Sequence, residues 1–300
     1  MVTAAFTWTE FAQQLASGIR EGAIYAGLAL ALVIIYRSSR VINFAQGEMA
    51  TFTTFIAWSL MNHGLTFWAA FPIVLAIAFA GGVVIETALI RPLATANVLT
   101  MVMVTLGLSL LLNGLMSVIW GGGNRQFRGP FSTRTIDVGG VPISVQDIGV
   151  VVVSLALVVV LGLFFRFTKL GLALRAAALN PDSSRLVGVR VGWMLALGWG
   201  IAAVLGAVAG MMIAPIVFLD PNMMQTILLY AFAAAVLGGL DSPIGAVVGG
   251  ILLGVTITML GRYVGFIGST LKLPASLLLI LLVLLVRPGG LFGRVAVRRV

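Results

Sequence analysis

Long uncharged runs, separated by short polar breaks, make up most of the chain. Several of these runs reach the roughly 20 residues that a helix needs to cross the hydrocarbon core of a bilayer. The pattern therefore predicts an all-α fold, a polytopic transmembrane helical bundle of about eight or nine spans that forms a single domain over residues 1–300. Some of its helices are expected to be broken or re-entrant, because the 29 uncharged residues between Arg190 and Asp220 are too many for one upright helix.

The beginning of the chain carries a helix-capping pattern. In Thr7-x-x-Glu10 each side chain can bind a backbone N–H of the other residue, which predicts a helix that begins at Trp8. The apolar residues of its first turns share one face, so we expect a short helix at the membrane surface with Trp8 at headgroup level. A separate first span is then predicted over residues 22–36.

The second predicted span is unusually polar. Only 21 residues, one membrane thickness, separate Arg40 from Asn62, and they include Asn43, Gln46 and Glu48. Either Glu48 lies within the membrane, or the helix is broken near Gln46 and its first part lines a cavity that shields the irregular backbone. A carboxylate inside a membrane is a functional hypothesis by default. The alternative is that Glu48 caps a helix at the cytoplasmic interface.

Polar side chains also recur along the predicted span over residues 98–120. A repeat of four residues that begins at Met101 continues with four polar residues: Thr105, Ser109, Asn113 and Ser117. This spacing places them along one slowly drifting face of a helix. In lipid such a face must turn towards other helices or towards water. The stripe therefore either forms hydrogen bonds between helices or lines a polar pathway.

The two longest polar breaks have different predicted structures. The first, residues 121–145, contains alternating residues around a Gly139-Gly140 turn, which predicts a small β-hairpin; we call it the hairpin loop. The second, residues 166–191, is called the basic elbow. It carries a single acid, Asp182, and five basic residues: Arg166, Lys169, Arg175, Arg185 and Arg190.

Local signals in the basic elbow predict two helices with a break between them. Residues 170–179 are rich in Ala and Leu, which are good helix formers. Asn180 can cap a second short helix that has Pro181 at its first position and Asp182 near its positive end. Gly188 is predicted to stop that helix in the left-handed conformation. The elbow is either a docking surface for a partner or a solvated loop whose arginines mark the cytoplasmic side.

Composition and charge support a membrane protein and predict its orientation. Sixty per cent of the residues are hydrophobic and nine per cent are charged, against about a quarter charged in ordinary soluble domains. The net charge of +9 comes from basic residues at span ends, where membrane lipid and not nucleic acid is the expected partner. Twelve basic residues fall on one side of the predicted bundle and six on the other. This bias places the basic elbow and the C-terminus in the cytoplasm, and the hairpin loop and the N-terminus outside.

The sequence carries no motif for catalysis or metal binding. It contains no G-x-x-x-x-G-K-[ST] phosphate loop, no H-E-x-x-H and no G-x-S-x-G. It has no cysteine, and its one histidine, His63, falls in a predicted outer loop. We therefore predict that the chain is not an enzyme, holds no metal and binds no cofactor.

Three segments give the chain a family resemblance. Residues 43–48, Asn-Phe-Ala-Gln-Gly-Glu, resemble the N-x-A-x-G-E segment of permease subunits of branched-chain amino acid ABC importers. Residues 171–180 and 184–188 resemble the coupling loop of those permeases, G-x-x-x-R-A-x-x-x-[ND]…A-x-x-x-G, with Ser184 in place of the usual alanine. Residues 236–246 resemble a third segment of the wider permease superfamily. The resemblance covers nearly the whole chain.

The resemblance implies a permease subunit that moves branched-chain amino acids across the inner membrane of a bacterium or archaeon by alternating access. The implied partners are a second, homologous permease, an extracytoplasmic substrate-binding protein, and two cytoplasmic ATPase subunits that would bind ATP and Mg²⁺. The basic elbow would dock into an ATPase through the residues that match the coupling loop: Gly171, Arg175, Asn180, Asp182, Arg185 and Gly188. Two alternatives stay open, a related permease for urea, short amides or sugars, and an ion-coupled secondary transporter or channel.

A path for an amino acid must offer polar groups without binding tightly, since the substrate carries both a carboxylate and an ammonium group. We hypothesise that the path, or the broken helix beside it, is shaped by the polar residues of the second and fourth spans: Asn43, Gln46, Glu48, Thr105, Ser109 and Asn113. Glu48 is expected to order the helix break by accepting backbone N–H groups and not by contacting the substrate.

Overall fold

The computed structural model describes residues 7–94, 96–268 and 270–293. These residues form eleven α-helices and one two-stranded antiparallel sheet, which confirms the all-α prediction for this part of the chain. In chain order the elements are α1 (Trp8–Ser39), α2 (Gln46–Asn62), α3 (Phe67–Ile85), α4 (Val98–Trp120), β1 (Thr135–Val138), β2 (Val141–Ser144), α5 (Val145–Phe167), α6 (Lys169–Leu179), α7 (Pro181–Leu186), α8 (Val191–Val217), α9 (Gln225–Gly238), α10 (Pro243–Tyr263) and α11 (Lys272–Val286). Three of the four basic residues after the last predicted span fall in residues 294–300, outside these ranges.

The described helices make this a multi-pass membrane protein. Six of them are long and apolar enough to cross a membrane: α1, α4, α5, α8, α10 and the helix that α3 forms with its extension to Leu93. α9 and α11 are apolar but shorter, and α2 has 17 residues with a polar first turn. The predicted eight or nine spans therefore consist of six full-length helices and three shorter ones.

The prediction of two separate helices at the beginning of the chain is wrong. α1 is one continuous helix of 32 residues, about 48 Å long. Its predicted cap is present, since the Thr7 side chain accepts a hydrogen bond from the Glu10 N–H at 3.3 Å. The continuity has a packing cause: Gly18 and Gly22 lie against the backbone of α10, where an added Cβ would come within 2.7 Å of Val255 Cα and of Ile251 Cα, respectively.

α1 and α8 occupy the centre of the bundle, and α4 and α5 lie at its periphery. In their most apolar stretches 83% of α1 and 72% of α8 is buried, against 17% for α4 and for α5. The exposed residues of the peripheral helices are mainly Leu, Val and Ile, among them Leu110, Val118 and Val160. Because these side chains are apolar and uncovered, they form the surface that faces lipid.

The bundle has two ends, which the hairpin loop and the basic elbow define. α5 begins directly after β2 and ends directly before α6, so its 23 residues hold the two breaks about 34 Å apart. Arg20 on α1 forms an ion pair with Asp147 at the start of α5, at 2.8 Å. The first half of α1 therefore lies towards the hairpin end, and its last turn lies towards the elbow end.

The hairpin is confirmed where the sequence predicts it. β1 and β2 pair antiparallel with Val138 opposite Val141, and Gly139 and Gly140 both have positive φ. The Asp137 carboxylate accepts a hydrogen bond from the Gly140 N–H at 2.6 Å, which closes the turn.

The long uncharged run after Arg190 forms the single helix α8 and a turn that follows it. The helix continues through Pro215 to Val217 and stops at Phe218, whose φ of 66° is left-handed. Leu219 then forms a short antiparallel bridge with Arg125 of the hairpin loop. The chain therefore turns back at the hairpin end before α9 begins.

Candidate functional site

The helix break before α2 lies inside the bundle. Arg40 ends α1 in the left-handed conformation and pairs with Asp241, between α9 and α10, at 3.0 Å. Within the next six residues three side chains have 0% exposure: Asn43, Ala45 and Gln46. α2 begins there, at Gln46. The backbone of residues 40–45 is not helical, which agrees with the predicted break near Gln46, and Glu48 lies in the first turn of α2, where the capping interpretation also places it.

Two amides hold this break. Asn43 Oδ1 accepts the Ala45 N–H at 3.0 Å, and Asn43 Nδ2 donates to Gln46 Oε1 at 3.2 Å. Gln46 Nε2 donates to the Ala202 carbonyl at 2.8 Å. Ala202 follows the start of α8 by three turns, so Gln46 lies roughly 16 Å from the elbow end along that helix. The buried amides thus fix the start of α2 deep in the protein.

Two glycines of α8 make room for α2. An added Cβ on Gly206 would lie 2.7 Å from Gln46 Nε2, and one on Gly210 would lie 2.9 Å from the Ala50 carbonyl oxygen. The two glycines are four residues apart, the small-xxx-small spacing that lets helix backbones approach closely in membranes. This spacing in the sequence signals that α8 packs closely against another helix, although it does not say which one.

α9 begins next to α2, with its first residues Gln225 and Thr226 exposed. An added Cβ on Gly47 would touch the side chains of Met224 and Leu228 at 3.4 Å. α9 has only 14 residues, about 21 Å, and ends near the Arg40–Asp241 pair at the elbow end. α2 runs the opposite way, since Trp58 in its last turns donates to the Gln126 carbonyl of the hairpin loop at 3.3 Å. We call α2 and α9 the half-helices, because each spans part of the bundle from a shared level.

The N-termini of the half-helices therefore lie side by side at one level of the bundle, that of α2 buried at Gln46 and that of α9 exposed at Gln225 and Thr226. Helix N-termini carry partial positive charge and unpaired N–H groups. In membrane transporters such discontinuous helices form sites near the middle of the bilayer, where their ends face charged groups of substrates. The N-termini of α2 and α9 thus define a polar site in an otherwise apolar bundle.

Glu48 is the carboxylate at this site. It is the third residue of α2 and is 5% exposed. Its carboxylate interacts with its own backbone N–H and with the Ser109 hydroxyl on α4. Its Oε2 atom has no hydrogen-bond partner among the described residues. A buried oxygen of this kind is rare in proteins and calls for an explanation, such as a ligand or water that visits the site.

The polar stripe of α4 divides into three environments. Ser109 faces Glu48. Thr105, one turn earlier, is 1% exposed and donates to the Val102 carbonyl of its own helix at 3.0 Å. Asn113, one turn later, donates to the Pro221 carbonyl at 3.1 Å and to the Asn222 side chain at 2.9 Å. The stripe therefore reaches from the Glu48 site to the turn before α9.

Asn222 is a site residue that the sequence reasoning missed. It accepts hydrogen bonds on its side chain from Asn113 and from Gln225, the first residue of α9. Its own N–H donates to Asp220 at 2.8 Å. The signal for it in the sequence was the run Asp220-Pro221-Asn222, which lies shortly before α9. This turn links the stripe of α4 to the start of the second half-helix.

The basic elbow has the predicted helix-break-helix structure. α6 and α7 are separated at Asn180, whose side chain accepts the Ser183 N–H at 3.0 Å. Pro181 is the first residue of α7, and Gly188 follows it with a φ of 83°. The Asp182–Arg185 ion pair, at 3.0 Å, is exposed on α7. Together with the exposed Leu186 and Val187, it forms the part of the elbow that is open to a partner.

Two residues of the predicted docking set face the bundle. An added Cβ on Gly171 would overlap the backbone of Phe164 and Phe165, so this glycine lets α6 fold back closely on α5. Arg175 is partly buried, and its Nε atom is buried without a hydrogen-bond partner among the described residues. The remaining members of the set lie on or beside α7. The coupling-loop pattern therefore combines residues that position α6 with residues that are exposed.

A bundle of membrane helices whose half-helices begin beside an interior polar site is the architecture of membrane transporters. The chain belongs to the family described as branched-chain amino acid transport system, permease component, which residues 14–287 match. This confirms the predicted family, which is one of transport permeases and not of enzymes.

The relatives of the chain cover almost its full length. It is 30% identical over 304 aligned residues to the high-affinity branched-chain amino acid transport system permease protein LivH of Salmonella typhimurium, covering 97% of this chain and 98% of that protein. It is 32% identical, with the same coverage, to the corresponding permease BraD of Pseudomonas aeruginosa. The fructose import permease FruF of Bifidobacterium longum is 25% identical over 278 residues, covering 86% of this chain and 75% of FruF.

Proposed function

We propose that this chain is the permease subunit of an ATP-driven importer that moves branched-chain amino acids across the cytoplasmic membrane of its cell. The observation that carries the proposal is the interior site at the start of the half-helices, where Glu48 and Ser109 face each other. The relatives support the substrate class, since those named for branched-chain amino acids are more similar over more of the chain than the fructose permease.

The proposed path suits a small zwitterion with an apolar side chain. The N-termini of the half-helices would attract the substrate carboxylate. Contrary to the expectation from the sequence, Glu48 would contact the substrate, because its unpaired oxygen would accept a hydrogen bond from the substrate ammonium. Asn43 and Gln46 would hold the break, because their amides are already bound to Ala45 and Ala202. Binding at one carboxylate and one hydroxyl is sparse, which allows release after each step.

Energy would come from partner chains. In this proposal two ATPase subunits bind ATP and Mg²⁺ in the cytoplasm, and the exposed α7 of the basic elbow transmits their movement. A second permease completes the channel, and a substrate-binding protein delivers the amino acid at the hairpin end. The bias of basic residues supports a cytoplasmic elbow and C-terminus with an outer N-terminus.

Reconstituted transport tests the proposal. The chain, with the second permease and the ATPases encoded beside it, is placed in liposomes with ATP on the elbow side and the binding protein on the other. We expect uptake of labelled leucine, isoleucine and valine that stops without ATP or without the binding protein. Equal uptake of urea or fructose would overturn the substrate class. Leucine uptake driven by an ion gradient without the ATPases would overturn the importer class.

A further inference from the structure

A deep cavity opens at the elbow end, apart from the half-helix site. It has a volume of about 530 Å³ and lies between α1, α5, α6, α8 and α10. This size falls in the usual range of ligand-binding pockets. Its walls are apolar and come from four of these helices, with Leu30, Ile34, Val158, Leu161, Leu174 and Val247 among them. We call it the elbow cavity.

The rim of the elbow cavity is basic. Arg37, Arg166 and Arg175 line it, and the lining includes no aspartate or glutamate. Arg37 lies in the last turn of α1 and Arg166 in the last turn of α5, so the rim is at the level where these helices leave the membrane. Asp241, which precedes the α10 residues of the lining, forms an ion pair with Arg40 at 3.0 Å.

The apolar walls extend from this rim into the membrane. Leu30 precedes Arg37 by seven residues and Val158 precedes Arg166 by eight, so the walls reach roughly 10–12 Å below the basic level. A free inorganic anion would use the arginines and leave these walls unused. A molecule with a charged head and an apolar tail matches both parts.

Arg175 supplies the second observation. Its Nε atom is buried and has no hydrogen-bond partner among the described residues. A buried N–H of a guanidinium group is costly to leave unpaired. Phosphate oxygens are its best-matched acceptors, because guanidinium can bind them with two parallel hydrogen bonds.

We propose that the elbow cavity binds one anionic phospholipid, with the phosphate at Arg175 and its neighbours and an acyl chain along α1, α5 and α10. Basic pockets between helices on the cytoplasmic side are typical sites for anionic headgroups. Such a lipid would connect α6 of the basic elbow to the membrane helices. The proposed lipid site is inferred from the shape and charge of this cavity, so it does not depend on which solute the protein transports.

Lipid binding by the purified full chain tests the site. Native mass spectrometry in detergent, with phosphatidylglycerol or phosphatidylcholine added, counts retained lipids. We expect a phosphatidylglycerol adduct that persists at about tenfold lower lipid concentration than any phosphatidylcholine adduct. Arg175→Gln should remove about that tenfold preference, since it deletes the phosphate ligand but keeps a polar side chain.

Two further variants separate this site from general attraction to the charged elbow. Lys169→Gln removes an exposed positive charge from the same helix outside the cavity, and it should keep the preference. Gly162→Leu adds a side chain to the cavity lining at a position where an added Cβ meets nothing within 4 Å, so it should fold and lose the adduct with all charges intact.

Any of three results would overturn the proposal. The first is an equal loss of preference in Lys169→Gln and Arg175→Gln. The second is an adduct that persists in Gly162→Leu. The third is unchanged lipid binding in Arg175→Gln with loss of the ATPases on co-purification, which would make the cavity a protein contact. None of these results depends on leucine uptake, so the transport proposal stands or falls separately.

Discussion

Gln46, the first residue of α2, donates a hydrogen bond to the carbonyl oxygen of Ala202 at 2.8 Å. A glutamine with no exposure therefore joins a broken helix to the middle of a continuous one. The bond is possible because α8 has glycine at position 206, where an added Cβ would lie 2.7 Å from the same Gln46 nitrogen. The position of the half-helix α2 thus depends on a missing side chain on its neighbour.

Gly206→Ala should destabilise the protein. The new methyl group must displace the Gln46 amide, which costs the bond to Ala202 and leaves buried polar groups unpaired, at about 1–3 kcal/mol. The check is the thermal unfolding midpoint of the purified protein in detergent. Gly107→Ala on α4 is the control, because an added Cβ there meets nothing within 4 Å. That change should leave stability equal or slightly higher, since alanine is the better helix former. An equal fall in both variants would contradict the packing argument.

Features that depend on a few adjacent residues were predictable from the sequence. Thr7 and Asn180 cap their helices as expected, and the Gly139-Gly140 turn closes the hairpin. In each case the backbone groups to be satisfied lie within four residues of the side chain that binds them. The order of helices followed in the same way from runs of apolar residues.

Features that depend on distant contacts were not predictable in this way. The amphipathic pattern at the start of the chain predicted a surface helix separate from the first span, whereas Gly18 and Gly22 serve the contact of a continuous α1 with α10. Arg175 belongs to the same basic elbow as Arg185, yet it turns into the bundle. Local helix propensity and charge counting contain no information about which neighbour will pack against a residue.

Cysteine at Ser132 should be accessible from outside the cell. Ser132 is an exposed residue of the hairpin loop, and the chain has no native cysteine to compete for the reagent. A membrane-impermeant maleimide applied to intact cells should label it. Ser183→Cys, exposed on α7 at the opposite end, should react only after the cells are opened. The reverse pattern would invert the proposed orientation of the whole bundle.

Arg185→Glu should weaken docking of the ATPases several-fold and leave the fold intact. Arg185 and Asp182 are 65% and 89% exposed, and an ion pair so open to water contributes little to stability. A charge at the edge of an interface does affect association with a complementary partner. The measurement is the amount of ATPase that co-purifies with the permease. Arg134→Glu, exposed in the hairpin loop, is the matched control and should retain wild-type amounts. Equal retention by both variants would make the elbow only a topological signal.

Substitutions of Glu48 separate its shape from its charge. Glu48→Ala removes a carboxylate that favours the N-terminal turn of α2 and leaves a cavity at a position that is 5% exposed. Glu48→Gln keeps the shape and one acceptor oxygen, and a neutral amide costs less to bury than a carboxylate. We therefore expect Ala to reduce both the unfolding midpoint and leucine uptake sharply, and Gln to reduce uptake mildly at near-normal stability.

Ser109→Ala is the control for Glu48, because it removes the hydroxyl and leaves the carboxylate in place. It should lower uptake less than Glu48→Ala, since Glu48 keeps its contact with its own backbone N–H. The informative outcome is a Gln variant that folds as the wild type does and yet transports as poorly as Ala. Because Gln preserves size and one acceptor, that result would show that the negative charge itself is required. Uptake of the wild type would then have to be measured against pH and sodium gradients, and dependence on either would move the protein to the ion-coupled class.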